Sequence, residues 1–202
     1  MRQSQKQTQG AYIPQELLEE LRKVSNRLLI GIPKEVDAEE RRLALTPEAV
    51  GMIVECGHRV LVEANAGLGI NYSDNHFAEA GAEIVSTALE VYQADYILKM
   101  LPPLPCEVAM MKPRSTLFSM VQFNTFAPEA YEGMMQKRIN AFAYELITDD
   151  SHRAPILNVI SEIEGTSSVM VAAELLSNTR GGKGILLGGI PGVPPTEVVI
   201  IG

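Results

Sequence analysis

GIPKEVDAEERRLALTPEAV, residues 31–50, is the stretch around which the rest of the chain is organised. The apolar residues just before it, Leu28–Ile30, begin a predicted buried strand. Thr46–Pro47 predicts a helix start, because a hydroxyl caps helix ends and proline suits the first helical position. Arg41 and Arg42 lie between strand and helix. Since open α/β sheets bind ligands beyond the carboxyl ends of their strands, a guanidinium here is placed to grip a substrate carboxylate.

The composition narrows the classes of protein to consider. The 202 residues carry 17 basic and 25 acidic side chains, and this net charge of −8 disfavours nucleic acid as a partner. No apolar run approaches the ~20 residues of a membrane span, and the first residues have no apolar core of a signal peptide. Cys56 and Cys106 are isolated, which predicts reduced thiols and a cytoplasmic protein.

Strand and helix signals alternate as in βαβ units, and the strands are nearly continuous apolar runs. We therefore predict an α/β fold: a Rossmann-like or flavodoxin-like parallel sheet with flanking helices. The predicted strands are Leu28–Ile32, Arg59–Glu63, Glu83–Val85, Tyr96–Leu101, Thr116–Val121 and Ile139–Leu146. The predicted helices between them are Pro47–Cys56, Ser73–Ala80, Thr87–Gln93, Cys106–Met111 and Pro128–Gln136.

Three segments are expected. Residues 1–27 form an N-terminal extension with a polar tail and an amphipathic helix from Pro14, and residues 28–150 form a substrate domain. Residues 151–202 join a long helix, Asn158–Ser177, to a glycine-rich turn region and a final strand, Val198–Gly202. A proline pair followed by VVIIG is how a nucleotide-binding domain often begins, so the last segment predicts the start of a second, NAD-binding Rossmann domain. Its end at Gly202 suggests a fragment that is inactive alone.

Four positions at or beyond strand ends are candidates for chemistry. Arg42 is either a carboxylate anchor or a solvated loop charge, and Arg41 is expected to be the latter. Lys99, inside the apolar YILKML, needs a partner or a route to water and is as plausibly structural as functional. Gln122 and Asn124 carry amides that can hydrogen-bond a substrate carbonyl but cannot transfer protons. The alternative is that these residues only stabilise a turn. Glu145, with Tyr144, more plausibly makes a structural hydrogen bond.

The remaining polar candidates are weaker. His58 is expected to be structural, His76 to lie on a short surface helix, and His152 to be a solvated loop residue. No two histidines have metal-ligand spacing, so no metal is predicted. Ser161 is expected in the first turn of the long helix, either as a capping hydroxyl or as a contact to a ligand.

Several strings in this order resemble the alanine dehydrogenase / nicotinamide nucleotide transhydrogenase α-subunit family. They are GIPKE (31–35), RLALTPEAV (42–50), GHRVLVEANAGLG (57–69), FAEAGAEIV (77–85), ILK (97–99), SEIEG (161–165) and GGIPGVPPTEVVIIG (188–202). The similarity runs from about Leu28 to Gly202, and the last string is closer to the dehydrogenases. It implies a two-domain enzyme that oxidises L-alanine with NAD to pyruvate and ammonia.

The resemblance also implies roles for residues. Arg42 matches the arginine that holds the substrate carboxylate, and Lys99, which matches the first of two lysines, is expected to bind the substrate as well. Ser161 matches a serine near the nucleotide, and Gly202 is expected to bind the cofactor with it. Two positions depart from the dehydrogenases: Leu101 stands where the substrate-binding lysine belongs, and Gln122 replaces the catalytic histidine. Transhydrogenase α-subunits also lack that histidine, so an NAD(H)-binding subunit without dehydrogenase activity is the alternative. Both groups imply a homo-oligomer.

Overall fold

The first strand, β1 (Leu29–Ile32), lies in the middle of a six-stranded, wholly parallel sheet with the order β3-β2-β1-β4-β5-β6. The computed structural model describes residues 27–122, 126–188, 191–193 and 196–201. The other strands are β2 (Arg59–Glu63), β3 (Glu83–Val85), β4 (Tyr96–Leu98), β5 (Thr116–Ser119) and β6 (Asn140–Ala143). The predicted parallel α/β sheet is thus confirmed, and its strand order is the Rossmann order rather than the flavodoxin one.

Helices connect successive strands, as right-handed parallel crossovers require. In this first part of the chain they are α1 (Pro47–Glu55), α2 (Asp74–Glu79), α3 (Ala88–Tyr92), α4 (Pro105–Met110) and α5 (Pro128–Lys137). The predicted start of α1 is confirmed, since Thr46 adopts an extended backbone and its side chain accepts a hydrogen bond from the Ala49 N–H. The loop after β2 contains a short 3-10 turn, Leu68–Ile70.

Both faces of the sheet are covered. Ile30 and Ile32 pack in one apolar cluster with Val50 of α1. Gly31 faces the other side, because side chains alternate along a strand. A Cβ atom at Gly31 would lie 2.5 Å from the Val91 carbonyl oxygen of α3, so only glycine lets this helix approach the central strand so closely.

Three strands end earlier than predicted. β4 stops at Leu98 rather than Leu101, although the Lys99 N–H still bonds to the Phe118 carbonyl at 3.0 Å. The reason is the register: β1 pairs with β4 only through Ile30 and Gly31 and then ends at Ile32, so β4 loses one neighbour. β5 stops at Ser119 rather than Val121, and β6 at Ala143 rather than Leu146.

The chain divides into two compact units after Ala143. The second unit starts with a 3-10 turn, Tyr144–Leu146, and contains the long helix α6, Pro155–Leu176. This helix begins three residues before the predicted Asn158, because Pro155 already has the φ of a first helical residue. Ser161 therefore lies in its second turn, exposed, and the predicted first-turn capping role is wrong.

The predicted final strand is also wrong for the described residues 198–201, which form neither strand nor helix and are 64–94% exposed. A strand requires hydrogen bonds from a neighbouring strand, and none of the described segments pairs with this one. The predicted N-terminal tail and helix, Asn124 and Gly202 lie outside the described residues. Within the described part of the chain, no helix has the length and apolar character needed to cross a membrane.

Candidate functional site

Two adjoining cavities lie in the first unit, beyond the carboxyl ends of the central strands. The order of the sheet reverses between β1 and β4, and such a switch point is where open α/β sheets bind ligands. The first cavity, of about 570 Å³, is lined by the segment after β1 and by the loop after β2. The second, of about 480 Å³, is lined by the segments that follow β1, β4 and β5. The two share one wall, residues 35–37.

The first cavity contains both predicted arginines, Arg41 and Arg42. Their loop can approach the loop after β2 because that loop is made of small residues. A Cβ atom at Gly69 would lie 2.5 Å from the Arg41 carbonyl oxygen, and one at Gly67 would meet the ring of Phe77 at the same distance. The small residues of ANAGLGIN thus shape the cavity wall opposite the arginines.

Arg42 is oriented by its neighbour Glu40. The guanidinium donates from Nε to Glu40 Oε1 at 2.9 Å and from Nη2 to Glu40 Oε2 at 2.6 Å. Such two-point pairing fixes the plane of the guanidinium. The Glu40 side chain is 6% exposed and that of Arg42 is 49% exposed. The hydrogen bonds from Arg42 lower the pKa of Glu40, so this carboxyl is ionised and holds Arg42 at the cavity.

The second cavity brings together Lys99 and Gln122, two of the predicted site residues. It also contains Leu101, one of the two positions that depart from the resembled dehydrogenases. Gln122 has a backbone φ of 45°, in the left-handed region that residues other than glycine rarely adopt. Because such geometry costs energy, it clusters at functional sites, and here it occurs in the segment that follows β5.

Lys99 has the partner that a buried lysine requires. Its side chain is 2% exposed, and its Nζ lies 2.8 Å from Glu107 Oε2 and 3.4 Å from Glu35 Oε2. Tyr92 donates its hydroxyl proton to Glu107 Oε1 at 2.7 Å. The direct contact of Lys99 with a substrate stays a prediction, since in this structure its ammonium group is occupied by two carboxylates.

The same two carboxylates fix the backbone of the segment after β4. Glu35 Oε1 accepts from the Met100 N–H at 2.5 Å, and Glu107 Oε2 accepts from the Leu104 N–H at 2.7 Å. Burial raises the pKa of Glu35, against the opposing effect of Lys99. Burial also raises the pKa of the Tyr92 phenol, with further effect from Glu107, so this hydroxyl stays a proton donor.

The other predicted candidates lie elsewhere. Ser161 belongs to the second unit, as do Tyr144 and Glu145 in the 3-10 turn after β6. His58 is structural as predicted, because its Nδ1 accepts from the Leu28 N–H at 3.3 Å. His76 lies on the short helix α2, where it forms a capping pair with Ser73. Cys56 and Cys106 are free thiols.

Three acidic residues of this region, Glu35, Glu40 and Glu107, were not predicted from the sequence. Glu35 was visible as a charge directly after a buried strand, and Glu107 as an acid two residues after the Pro105 that starts α4. Each signal is common on protein surfaces, so neither indicated burial. The pairing with Lys99 depends on the approach of three separate segments, which local sequence does not specify.

Comparisons with known proteins find relatives over most of the chain. Residues 31–164 match the family model described as alanine dehydrogenase/PNT, N-terminal domain, and residues 168–202 match the corresponding C-terminal domain. An alanine dehydrogenase of Methanococcus maripaludis is 41% identical over 176 residues, 87% of this chain and 47% of that protein. One of Bacillus subtilis is 38% identical over 175 residues, 87% of this chain and 46% of that protein.

Solved structures give the same result. An L-alanine dehydrogenase superposes with a TM-score of 0.77 at 36% identity, over 83% of this chain and 46% of that one. A transhydrogenase from Sinorhizobium meliloti superposes with a TM-score of 0.54 at 32% identity, over 59% of this chain and 35% of that one. The chain spans about half the length of the curated relatives it matches. With its parallel sheet, its arginine loop and these matches, the chain belongs to the alanine dehydrogenase/PNT family.

Proposed function

We propose that this chain is the substrate-binding portion of an NAD-dependent amino-acid dehydrogenase, which converts L-alanine or a related amino acid to a 2-oxo acid and ammonia. The observation that carries the proposal is the position of Arg42. It lies in a cavity at the switch point of the sheet, is held there by Glu40, and belongs to a chain that matches alanine dehydrogenases along its length. Because the chain spans about half of those relatives, the activity is proposed for the full-length protein.

In this proposal Arg42 binds the substrate carboxylate, since a guanidinium can donate two parallel hydrogen bonds to it. Gln122 donates from its amide to the C2 carbonyl of the 2-oxo acid, a role that needs no proton transfer. The contacts of Lys99 favour an indirect role, in which it fixes the segment after β4 through Glu35 and Glu107.

NAD, when bound, accepts the hydride from the substrate α-carbon. Ser161, whose hydroxyl lies on the exposed surface of α6, and Gly202 are the residues of this chain proposed to contact it. A hydroxyl can hydrogen-bond ribose or phosphate oxygens, so the residue type at 161 fits the cofactor. We further propose that the protein is cytoplasmic and forms a homo-oligomer, by analogy with its family.

The test is NAD reduction by the purified full-length protein with L-alanine and other small amino acids. Arg42→Lys should raise KM for the amino acid at least ~10-fold, because it loses bidentate geometry. Arg41→Lys, a matched change at the adjacent residue, should leave KM nearly unchanged. Equal effects of the two substitutions would remove the assigned role of Arg42, and a lack of turnover with every amino acid would exclude the dehydrogenase.

The alternative is an NAD(H)-binding, transhydrogenase-like subunit without amino-acid turnover. It is supported by Leu101 and Gln122, neither of which can transfer a proton, and by the likeness to a transhydrogenase structure. Genes for a membrane subunit and an NADP-binding subunit beside this one would favour it. Tight NADH binding combined with no turnover of any amino acid would establish it over the first proposal.

A further inference from the structure

Two of the charged residues that border the second cavity, Lys99 and Glu35, hold their charges in buried contacts. Lys99 contributes to the wall, yet its ammonium group is paired with Glu107 and Glu35, and the side chain is only 2% exposed. The Glu35 side chain is 4% exposed, with Oε1 bound to the Met100 N–H and Oε2 covered from solvent beside Lys99. Neither residue therefore offers an accessible charge to a ligand.

What remains of the wall is largely apolar. The segment after β4 supplies Leu101, Pro102 and Leu104, and Val36 adds a side chain from the segment after β1. Gln122 adds a neutral amide. The volume, about 480 Å³, lies in the usual range of small-molecule pockets, and apolar walls with a few polar groups are typical of them.

The adjoining first cavity is lined by many charged residues. Lys34, Arg41 and Arg42 contribute cations, while Glu40, which is paired with Arg42, and Asp37 contribute carboxylates. The cavities meet at residues 35–37, so one small ligand can place a carboxylate in the first and a side chain in the second. The exposed acid on the shared wall is Asp37, whose Oδ1 accepts from the Glu39 N–H. A carboxylate at this position repels a ligand with a second acidic group.

We infer that the site takes a 2-amino acid with an aliphatic side chain larger than that of alanine, such as valine or leucine, and the corresponding 2-oxo acid. Arg42 binds the carboxylate, and the wall formed by Leu101, Pro102 and Leu104 contacts the branched side chain. The inference rests on the proposed function and narrows it to a substrate class. Its physical basis is the burial of apolar side-chain surface against the wall formed by Leu101, Pro102 and Leu104.

The experiment compares kcat/KM for NAD reduction by the full-length protein with L-alanine, L-valine, L-leucine, L-glutamate and L-lysine. An aliphatic pocket discriminates by about 10-fold or more for each methylene that it accommodates. We therefore expect L-valine or L-leucine to exceed L-alanine at least ~10-fold. Both charged amino acids should fall below them, because a charged side chain loses hydration against the apolar wall. Preference for L-alanine or for a charged amino acid would overturn the inference and leave the dehydrogenase function standing.

Failure of the dehydrogenase function would give a different result, namely no turnover with any amino acid. Binding then decides the inference, by calorimetric titration with pyruvate and with 4-methyl-2-oxopentanoate. Tighter binding of the branched acid by at least ~10-fold supports it, whereas equal binding or no binding of either acid overturns it.

Variants test whether the wall formed by Leu101, Pro102 and Leu104 is what selects the substrate side chain. Leu101→Lys should reduce kcat/KM for L-leucine at least ~10-fold and affect L-alanine less, because an ammonium group would enter the apolar cavity. Leu89→Lys, on α3 and 53% exposed, is the control and should change neither value. If Leu101→Lys does not fold, Leu101→Ala should still lower the ratio of L-leucine to L-alanine turnover. An unchanged ratio in the folded variant would show that this wall does not select the side chain.

Discussion

Lys99 Nζ lies 2.8 Å from Glu107 Oε2, and both side chains are 2% exposed. This pair and the nearby Glu35 join three segments of the chain: the end of β1, the end of β4 and helix α4. Because Glu35 and Glu107 also accept from the Met100 and Leu104 N–H groups, the ion pair holds the backbone that lines the second cavity.

The first prediction concerns the stability of this pair. Lys99→Met should lower the free energy of unfolding by about 3–5 kcal/mol, because it leaves two buried carboxylates without their cation. Lys112→Met is the matched control, since Lys112 pairs with Asp95 and both side chains are about half exposed. Its cost should be below ~1 kcal/mol. Urea denaturation measures the free energy of unfolding of both variants. Similar losses would show that burial does not make the Lys99 pair more important to stability than an exposed pair.

The second prediction concerns pH. Burial raises the pKa of Glu35 above its ordinary 4.5 in the folded state. At pH values between 4.5 and this raised pKa, the native protein therefore holds more protons than the unfolded chain. Stability contributed through this group therefore falls as pH rises from about 4.5 through the raised pKa. Glu35→Gln removes that dependence, and the variant should gain stability relative to the wild type over the same interval.

A carboxyl with the opposite shift gives the control. Arg59 donates two hydrogen bonds of 2.7 Å to Glu83 and lowers the pKa of that carboxyl. Its contribution is present above 4.5 and is lost as pH falls, so Glu83→Gln should lose stability relative to the wild type as pH rises. The effect is small because both groups are exposed. Denaturation curves from about pH 3 to pH 8, each taken as the difference from the wild type, should show opposite slopes for the two variants. Slopes of the same sign would refute the assignment.

The third prediction concerns the approach of the loop after β2 to the arginine loop. Gly69→Ala places a Cβ atom 2.5 Å from the Arg41 carbonyl oxygen and 2.9 Å from its Cα, which are backbone atoms that cannot rotate away. We expect a loss of about 1–3 kcal/mol and, on the proposed function, a higher KM for the amino acid. Gly165→Ala in α6 meets nothing within 4 Å and should instead stabilise by about 0.5–1 kcal/mol. Thermal unfolding and steady-state kinetics test both changes.

The fourth prediction concerns the two positions that depart from the resembled dehydrogenases. Leu101→Lys combined with Gln122→His supplies a cation and an imidazole that titrates near neutral pH. In the full-length protein the double variant should raise kcat/KM for L-alanine at least ~10-fold, since general acid–base groups typically contribute 10²–10⁴-fold. The two single variants, Leu101→Lys and Gln122→His, are measured beside the double variant to show how much of the gain each substitution contributes. No gain with L-alanine would show that these positions do not limit that reaction.

Local signals predicted much of the fold. Apolar runs and caps such as Thr46 identified six strands and the helices between them, but βαβ units are compatible with both predicted strand orders, and only the structure gave the Rossmann order. The strand ends were less predictable, because β4 stops where β1 stops, and that depends on register between the two strands. The start of α6 was predicted wrongly although its signal is local, since Pro155 suits the first helical position. The state of Val198–Ile201 was predicted wrongly because a strand requires a pairing partner, and none of the described segments pairs with these residues.

The sequence by itself determined the family, the parallel sheet and the position of Arg42 beyond a strand end, because these depend on short strings and on periodicity along the chain. Only the tertiary structure decided what Lys99 contacts. A lysine in an apolar run must find a counter-charge, yet its carboxylates lie 64 residues before it and eight residues after it, at Glu35 and Glu107. Folding brings Lys99 and its two carboxylates together at the switch point of the sheet. Their charges are buried there, and the apolar residues of the second cavity remain available to contact a ligand.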